Sequence, residues 1–170
     1  MNSKIVLGPE QRRALLTHPA GWVACGFGAG LAPRAQGTVG SAVALLPWWF
    51  LWRQLGLPGY GLMLILAFAV GVWACGESGR RLKFSDHRAL VWDEFVGQWL
   101  ALLPALVAPW WTVPVAFVLF RLFDVWKPWP IGWLDRRVKG GAGVMLDDVV
   151  AGAFAAIVLA IILRLVPLAL

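Results

Sequence analysis

Acidic side chains are scarce in this chain, and they are concentrated. Of nine Asp and Glu in 170 residues, seven fall between positions 86 and 148: Asp86, Asp93, Glu94, Asp124, Asp135, Asp147 and Asp148. Two pairs are adjacent, in "VWDEFVGQW" and in "VMLDDVVAG", and both border apolar runs. A carboxylate beside hydrocarbon is costly, and a like-charged neighbour adds to the cost. Helix capping accounts for one acid per helix, not for a set. Several carboxylates at one place require a compensating cation, and an oxygen-only donor set selects a hard ion, Mg²⁺ or Mn²⁺, over zinc. His18 and His87 have no metal-binding partner at helical spacing and read as loop or interface residues. Cys25 and Cys75 are far apart and read as small buried residues in reduced surroundings.

Basic residues accompany the acids. "FDVWKPWPIGWLDRRVKGGAGVML" interleaves Lys127, Arg136, Arg137 and Lys139 with carboxylates and tryptophans. Cations beside a divalent ion suit a substrate rich in phosphate oxygens. Lys127 follows Asp124 by three residues and would share its helix face if the helix continued. Arg136 and Arg137 are explained by membrane orientation alone. The segment "GFGAGLAPRAQGTVGS", residues 26–41, lacks the Lys-Ser/Thr of a P-loop and follows no strand. Thr38 could cap a helix beginning "TVGS", whose N-terminus could hold an anion; a re-entrant turn is the alternative.

The elements that must position these groups are helices in a membrane. The chain is 60% hydrophobic and only 14% charged, too little charge to cover a soluble domain of this length. Its length allows one domain, 1–170, and no signal peptide is visible at the start. The net charge of +6 would suit nucleic acid, but twelve Trp and long apolar runs make a membrane surface the better partner. Apolar regions cover 38–52, 60–76, 95–120 and 149–163. Two prolines and paired tryptophans in "APWWTVP" divide the third into a helical hairpin, 95–107 and 112–124. That hairpin puts thirteen of fifteen Lys and Arg on one side, with Arg53 and Arg164 on the other, so the crowded side is cytoplasmic. Asp93, Glu94, Asp147 and Asp148 are expected at helix N-termini on that side. Asp86 and Asp135 fall in loops near arginines. Trp126, Trp129 and Trp133 suit the headgroup level, and Gly97, Gly152 and Ala156 would allow close helix contact. The expected fold is an all-α polytopic membrane bundle with short or re-entrant helices and a carboxylate-rich cytoplasmic face.

"GFGAGLAPRAQGTVGS", "VWDEFVGQW", "FRLFDVWKPWPI" and "VKGGAGVMLDDVVAG" together resemble the phosphatidylglycerophosphatase A family, in order and spacing, over roughly 22–155. The resemblance implies Mg²⁺-dependent hydrolysis of phosphatidylglycerophosphate to phosphatidylglycerol in the bacterial cytoplasmic (inner) membrane. It carries the acidic positions onto Asp93, Glu94, Asp124, Asp147 and Asp148 as metal ligands or catalytic groups. Lys127 would be catalytic and, with Lys139, Gly37, Thr38 and Ser41, would bind the substrate. Gln36 departs from the family, which typically has proline there. No obligatory protein partner is evident. Attack by water and a covalent aspartyl-phosphate both remain open.

Two other classes compete. A different lipid phosphomonoesterase of the histidine type would need a PSGH-like stretch, and a CDP-alcohol phosphotransferase a DG-AR element; neither is present. A non-enzymatic divalent-cation protein would need acids continuing through the bilayer core, whereas these cluster at one face.

Overall fold

A computed structural model describes residues 7–83 and 87–166, without the side chain of Arg53. Lys4 and Asp86 lie outside the described residues. The described residues are all-helical: α1 (Pro9–Leu16), α2 (Pro19–Ala24), α3 (Gln36–Leu82), α4 (Trp92–Ala101), α5 (Thr112–Trp126), α6 (Ile131–Arg137) and α7 (Gly140–Leu165). Short 3₁₀ turns cover Gly26–Leu31 and Leu103–Val107.

The first two apolar regions form one long element, α3, broken at Gly56. Gly56 has φ +60° and ψ 175°, outside the helical region, and Pro58 follows it. The part Gln54–Leu82 and the 26-residue α7 are long and apolar enough to cross a membrane.

The third apolar region is a hairpin, as its prolines indicate. Pro104 opens the 3₁₀ turn that ends α4, and Thr112 donates its hydroxyl to the Pro109 carbonyl at 2.7 Å as α5 begins. α5 then returns to the end from which α4 set out, since Asp124 near its close lines the same cavity as Asp93 and Glu94.

The α7 boundary differs from expectation. The helix begins at Gly140, so Asp147 and Asp148 lie two turns inside it instead of at its N-terminus. Their position owes nothing to the helix dipole. "GGAG" reads as a loop, but here it is helical because it packs on α3. A Cβ on Gly141 would strike the Val72 carbonyl and come within 2.7 Å of the Gly76 nitrogen. Met145 presses on Gly71 in the same way, its Sδ 2.5 Å from where a Cβ would stand. These contacts run α7 antiparallel to the second half of α3.

α4 lies in the middle. Trp92 donates its indole N–H to the Ala67 carbonyl at 2.9 Å, and Trp99 donates to Ala44 at 2.8 Å. Tyr60 donates its hydroxyl to the Trp99 carbonyl at 2.6 Å. Buried indole and phenol groups need such partners, and both halves of α3 are thereby fixed to α4. Cys25 and Cys75 are fully buried and not joined in a disulfide. His18 caps α2 by accepting the Ala20 N–H at 3.2 Å, and His87 accepts the Ala89 N–H at 3.1 Å. Trp126, Trp129 and Trp133 are exposed, as headgroup-level residues would be.

Candidate functional site

α4 and α7 cross at glycines. A Cβ on Gly152 would strike the Gly97 carbonyl, and one on Gly97 would come within 2.7 Å of the Asp148 carbonyl oxygen. Ala156 is only half-buried and its neighbour Ala155 fills the interface instead. Glu94 precedes Gly97 by three residues and Asp148 precedes Gly152 by four, so each carboxylate sits one turn from the crossing. Backbone contact at the glycines therefore brings the acids together. Asp93, Glu94 and Asp148 each offer an oxygen, and the three oxygens lie within 4.8 Å of one another.

Gly37 closes the third side. It stands in the first turn of α3, where a Cβ would clash with the Glu94 carboxylate and come within 3.1 Å of the Arg121 guanidinium. Arg121 pairs with Asp124 at 2.5 Å and donates to the Ser41 hydroxyl at 3.4 Å, which in turn donates to the Gly37 carbonyl at 2.9 Å. Asp124 lines the same cavity, held there by Arg121.

Lys127 departs from its expected place. α5 ends at Trp126, and Lys127 takes left-handed backbone angles (φ +47°), so it does not continue the face of Asp124. Its ammonium instead meets Asp147 at 2.5 Å and Asp135 at 3.0 Å. Burial by itself would lower its proton affinity, but Asp147 and Asp135 outweigh that and hold the ammonium above the ordinary lysine range. Asp135, expected beside arginines, is held by lysines: its carboxylate takes Lys127 and its carbonyl accepts from Lys139 at 3.3 Å.

The other expected contacts divide. Gly37, Thr38 and Lys139 line the cavity with the five acids, whereas Ser41 is buried behind it. Thr38 is not a cap: α3 starts at Gln36 with Ala35 as its N-cap. Gln36 is thus the first helical residue, where proline fits naturally, so its departure from the family pattern leaves the helix start intact.

The groups share a cavity of about 670 Å³, a size typical of small-ligand sites. Outside the two long apolar helices, burial and then the adjacent Glu94 push the Asp93 carboxyl well above the usual range. Burial, with Asp148 and Asp124 adding to it, pushes Glu94 up to about 8 despite its hydrogen bond with Asp93. Among the described residues, Glu94 Oε2 and Asp148 Oδ2 are buried with no hydrogen-bond partner. Such atoms are costly unless something binds them. An all-oxygen, mutually repelling set with two unpartnered atoms fits a hard divalent cation.

The family model described as Phosphatidylglycerophosphatase A matches residues 22–163. The chain belongs to the phosphatidylglycerophosphatase A family. A phosphatidylglycerophosphatase A of Escherichia coli is 42% identical over 144 residues, covering 85% of this chain and 83% of that one. One of Haemophilus influenzae is 36% identical over 147 residues, covering 86% and 90%. No solved structure matches. A phosphatidylglycerophosphatase A chain is a phosphatase, and the polar cavity is the candidate site in this one. Sequence reasoning missed several residues of this phosphatidylglycerophosphatase A cavity, among them Arg121, by counting them only as orienting charges. For Arg121 the available signal was its spacing of three from Asp124 on one helix.

Proposed function

We propose that this chain hydrolyses phosphatidylglycerophosphate to phosphatidylglycerol and phosphate, with Mg²⁺, at the cytoplasmic face of the bacterial inner membrane. The observation that carries the reading is the pair of partnerless buried oxygens, on Glu94 and Asp148, within a three-carboxylate cluster that shares its cavity with lysine and arginine. The multi-pass arrangement is supported by two long apolar helices and by the thirteen-to-two charge split.

Asp93, Glu94 and Asp148 would hold the ion, with Asp124 and Asp147 beside them. Bound there, Mg²⁺ supplies Lewis-acid polarisation of phosphoryl oxygens and neutralises charge. Lys127 stays protonated and offers its remaining N–H to a phosphoryl oxygen where negative charge develops. Asp147 and Asp135 fix the direction of that ammonium. Arg121, held by Asp124 and Ser41, presents a rigid guanidinium beside Gly37. Two modes of attack fit these residues. In one, a carboxylate takes a proton from the attacking water as the P–O bond to the glycerol oxygen breaks and that oxygen is protonated. In the other, a carboxylate attacks phosphorus, the same bond breaks, and water then hydrolyses the acyl phosphate to phosphate and the free carboxylate. Hydroxylamine trapping of an acyl phosphate separates them.

Phosphate release from phosphatidylglycerophosphate in detergent micelles tests the reading. Turnover should require Mg²⁺, vanish with a chelator and return on adding Mg²⁺ back. Purified, folded protein that releases no phosphate with Mg²⁺ present would overturn it.

A further inference from the structure

The cavity carries more positive charge than one phosphate monoester needs. Arg121 and Lys127 are tied to carboxylates and Lys139 to a carbonyl. Three more arginines line the same space: Arg12 on α1, Arg34 before α3 and Arg88 before α4. Among the described residues, no carboxylate pairs with any of these three.

Their supports are built. Gly30 packs so closely that a Cβ there would strike the Ala89 carbonyl, which joins the glycine-rich turn to the turn carrying Arg88. Val91 donates its N–H to the Ala24 carbonyl at 2.7 Å, and Leu90 donates to His87 at 2.8 Å, fixing the second turn from both sides. Arg34 follows the first turn and precedes Gly37, which abuts Glu94. One backbone assembly from the first 91 residues thus carries the unpaired arginines, whereas the carboxylates come from α4, α5, α6 and α7. The glycine-rich segment holds this assembly against the carboxylate wall.

We infer that Arg34 and Arg88, with Arg12, form a second anion subsite that takes the phosphodiester of the lipid headgroup while the carboxylate wall takes the terminal monoester. The inference rests on the functional reading above, in which the substrate carries two phosphates joined through glycerol. Guanidinium groups that no carboxylate engages among the described residues can hold a diester that is bound but not cleaved, and that contact would select this lipid over monoesters lacking a diester.

The test compares the full-length protein with R34A/R88A and R136A/R137A in mixed micelles at saturating Mg²⁺. Arg136 and Arg137 are exposed on α6 and outside the cavity, so the second pair removes the same charge from the surface alone. R34A/R88A should raise KM for phosphatidylglycerophosphate at least about tenfold, with kcat within about threefold, because each charge-assisted contact is worth roughly ten- to a hundredfold in binding. Inhibition by short-chain phosphatidylglycerol, which has the diester and no monoester, should weaken in proportion. R136A/R137A should raise KM by less than R34A/R88A, and its effect should fade as added salt screens the exposed charges. Equal KM increases in both pairs, a loss of kcat at unaltered KM, or undiminished inhibition by phosphatidylglycerol would each overturn the subsite alone. Native protein that hydrolyses no phosphatidylglycerophosphate would instead overturn the functional reading and the subsite with it.

Discussion

Asp147 and Asp148 are neighbours in sequence with different partners. Asp148 faces Asp93 and Glu94 with an unpartnered oxygen, while Asp147 is engaged by Lys127. Asp148→Asn should therefore lower turnover by at least the ~10²–10³ of a lost transition-state contact, with the helical content unchanged by circular dichroism. Asp147→Asn should act through Lys127 and cost less. Wild-type rates in both variants would remove the pair from the site. Lys127→Ala should cut kcat by about a hundredfold or more, as loss of a charge aimed at the reacting phosphate does. Arg137→Ala should shift apparent affinity only slightly, since one exposed cation near an anionic surface is worth ~1 kcal/mol. Steady-state phosphate release, normalised to folded protein, reads all four variants. Equal small effects at Lys127 and Arg137 would make Lys127 an interfacial anchor. The acids were legible because charge is rare in an apolar chain, so each one needs a reason. The partner of each was not: Lys127 and Asp147 are twenty residues apart, and only the turn after α5 joins them.

Two glycines do at the level of helices what no side chain could. Gly97 and Gly152 let α4 and α7 touch backbone to backbone, which sets the spacing of Glu94 and Asp148 one turn away. Gly152→Ala must push the helices apart and should cost about 1–3 kcal/mol, the usual effect of overpacking, together with activity. Gly61→Ala is the control: it lies within α3 with nothing within 4 Å of the new Cβ, so it should be neutral or gain about 0.5–1 kcal/mol. Unfolding in a denaturing detergent series measures both, and equal stability of the two variants would contradict the crossing. The hairpin and the close α4–α7 contact were readable, because proline and glycine punctuate helices for local steric reasons. The start of α7 was not, since "GGAG" is helical only through its packing on α3.

For the whole molecule, the hairpin returns the chain to the side from which it left, so residues near 88 and 136 should be accessible from the cytoplasm and residues 108–112 from the opposite face. Single cysteines placed at those positions, in a background lacking Cys25 and Cys75, can be labelled in intact and opened cells; labelling of 88 and 136 from opposite sides would rule the arrangement out. The recessed position of the carboxylates has a consequence for depth. From Asp148 to Leu165 α7 has 18 residues, rising about 27 Å, close to the ~30 Å of a hydrocarbon core. With α7 crossing as proposed, the earlier turns, Gly140–Leu146, would stand in the headgroup layer along one wall of the cavity. A lipid can present its phosphate to such a site without rising from its leaflet. Drawing acyl chains into water costs about 0.8 kcal/mol for every methylene exposed, and a cavity wall at headgroup depth would let the proposed hydrolysis proceed with that work never done.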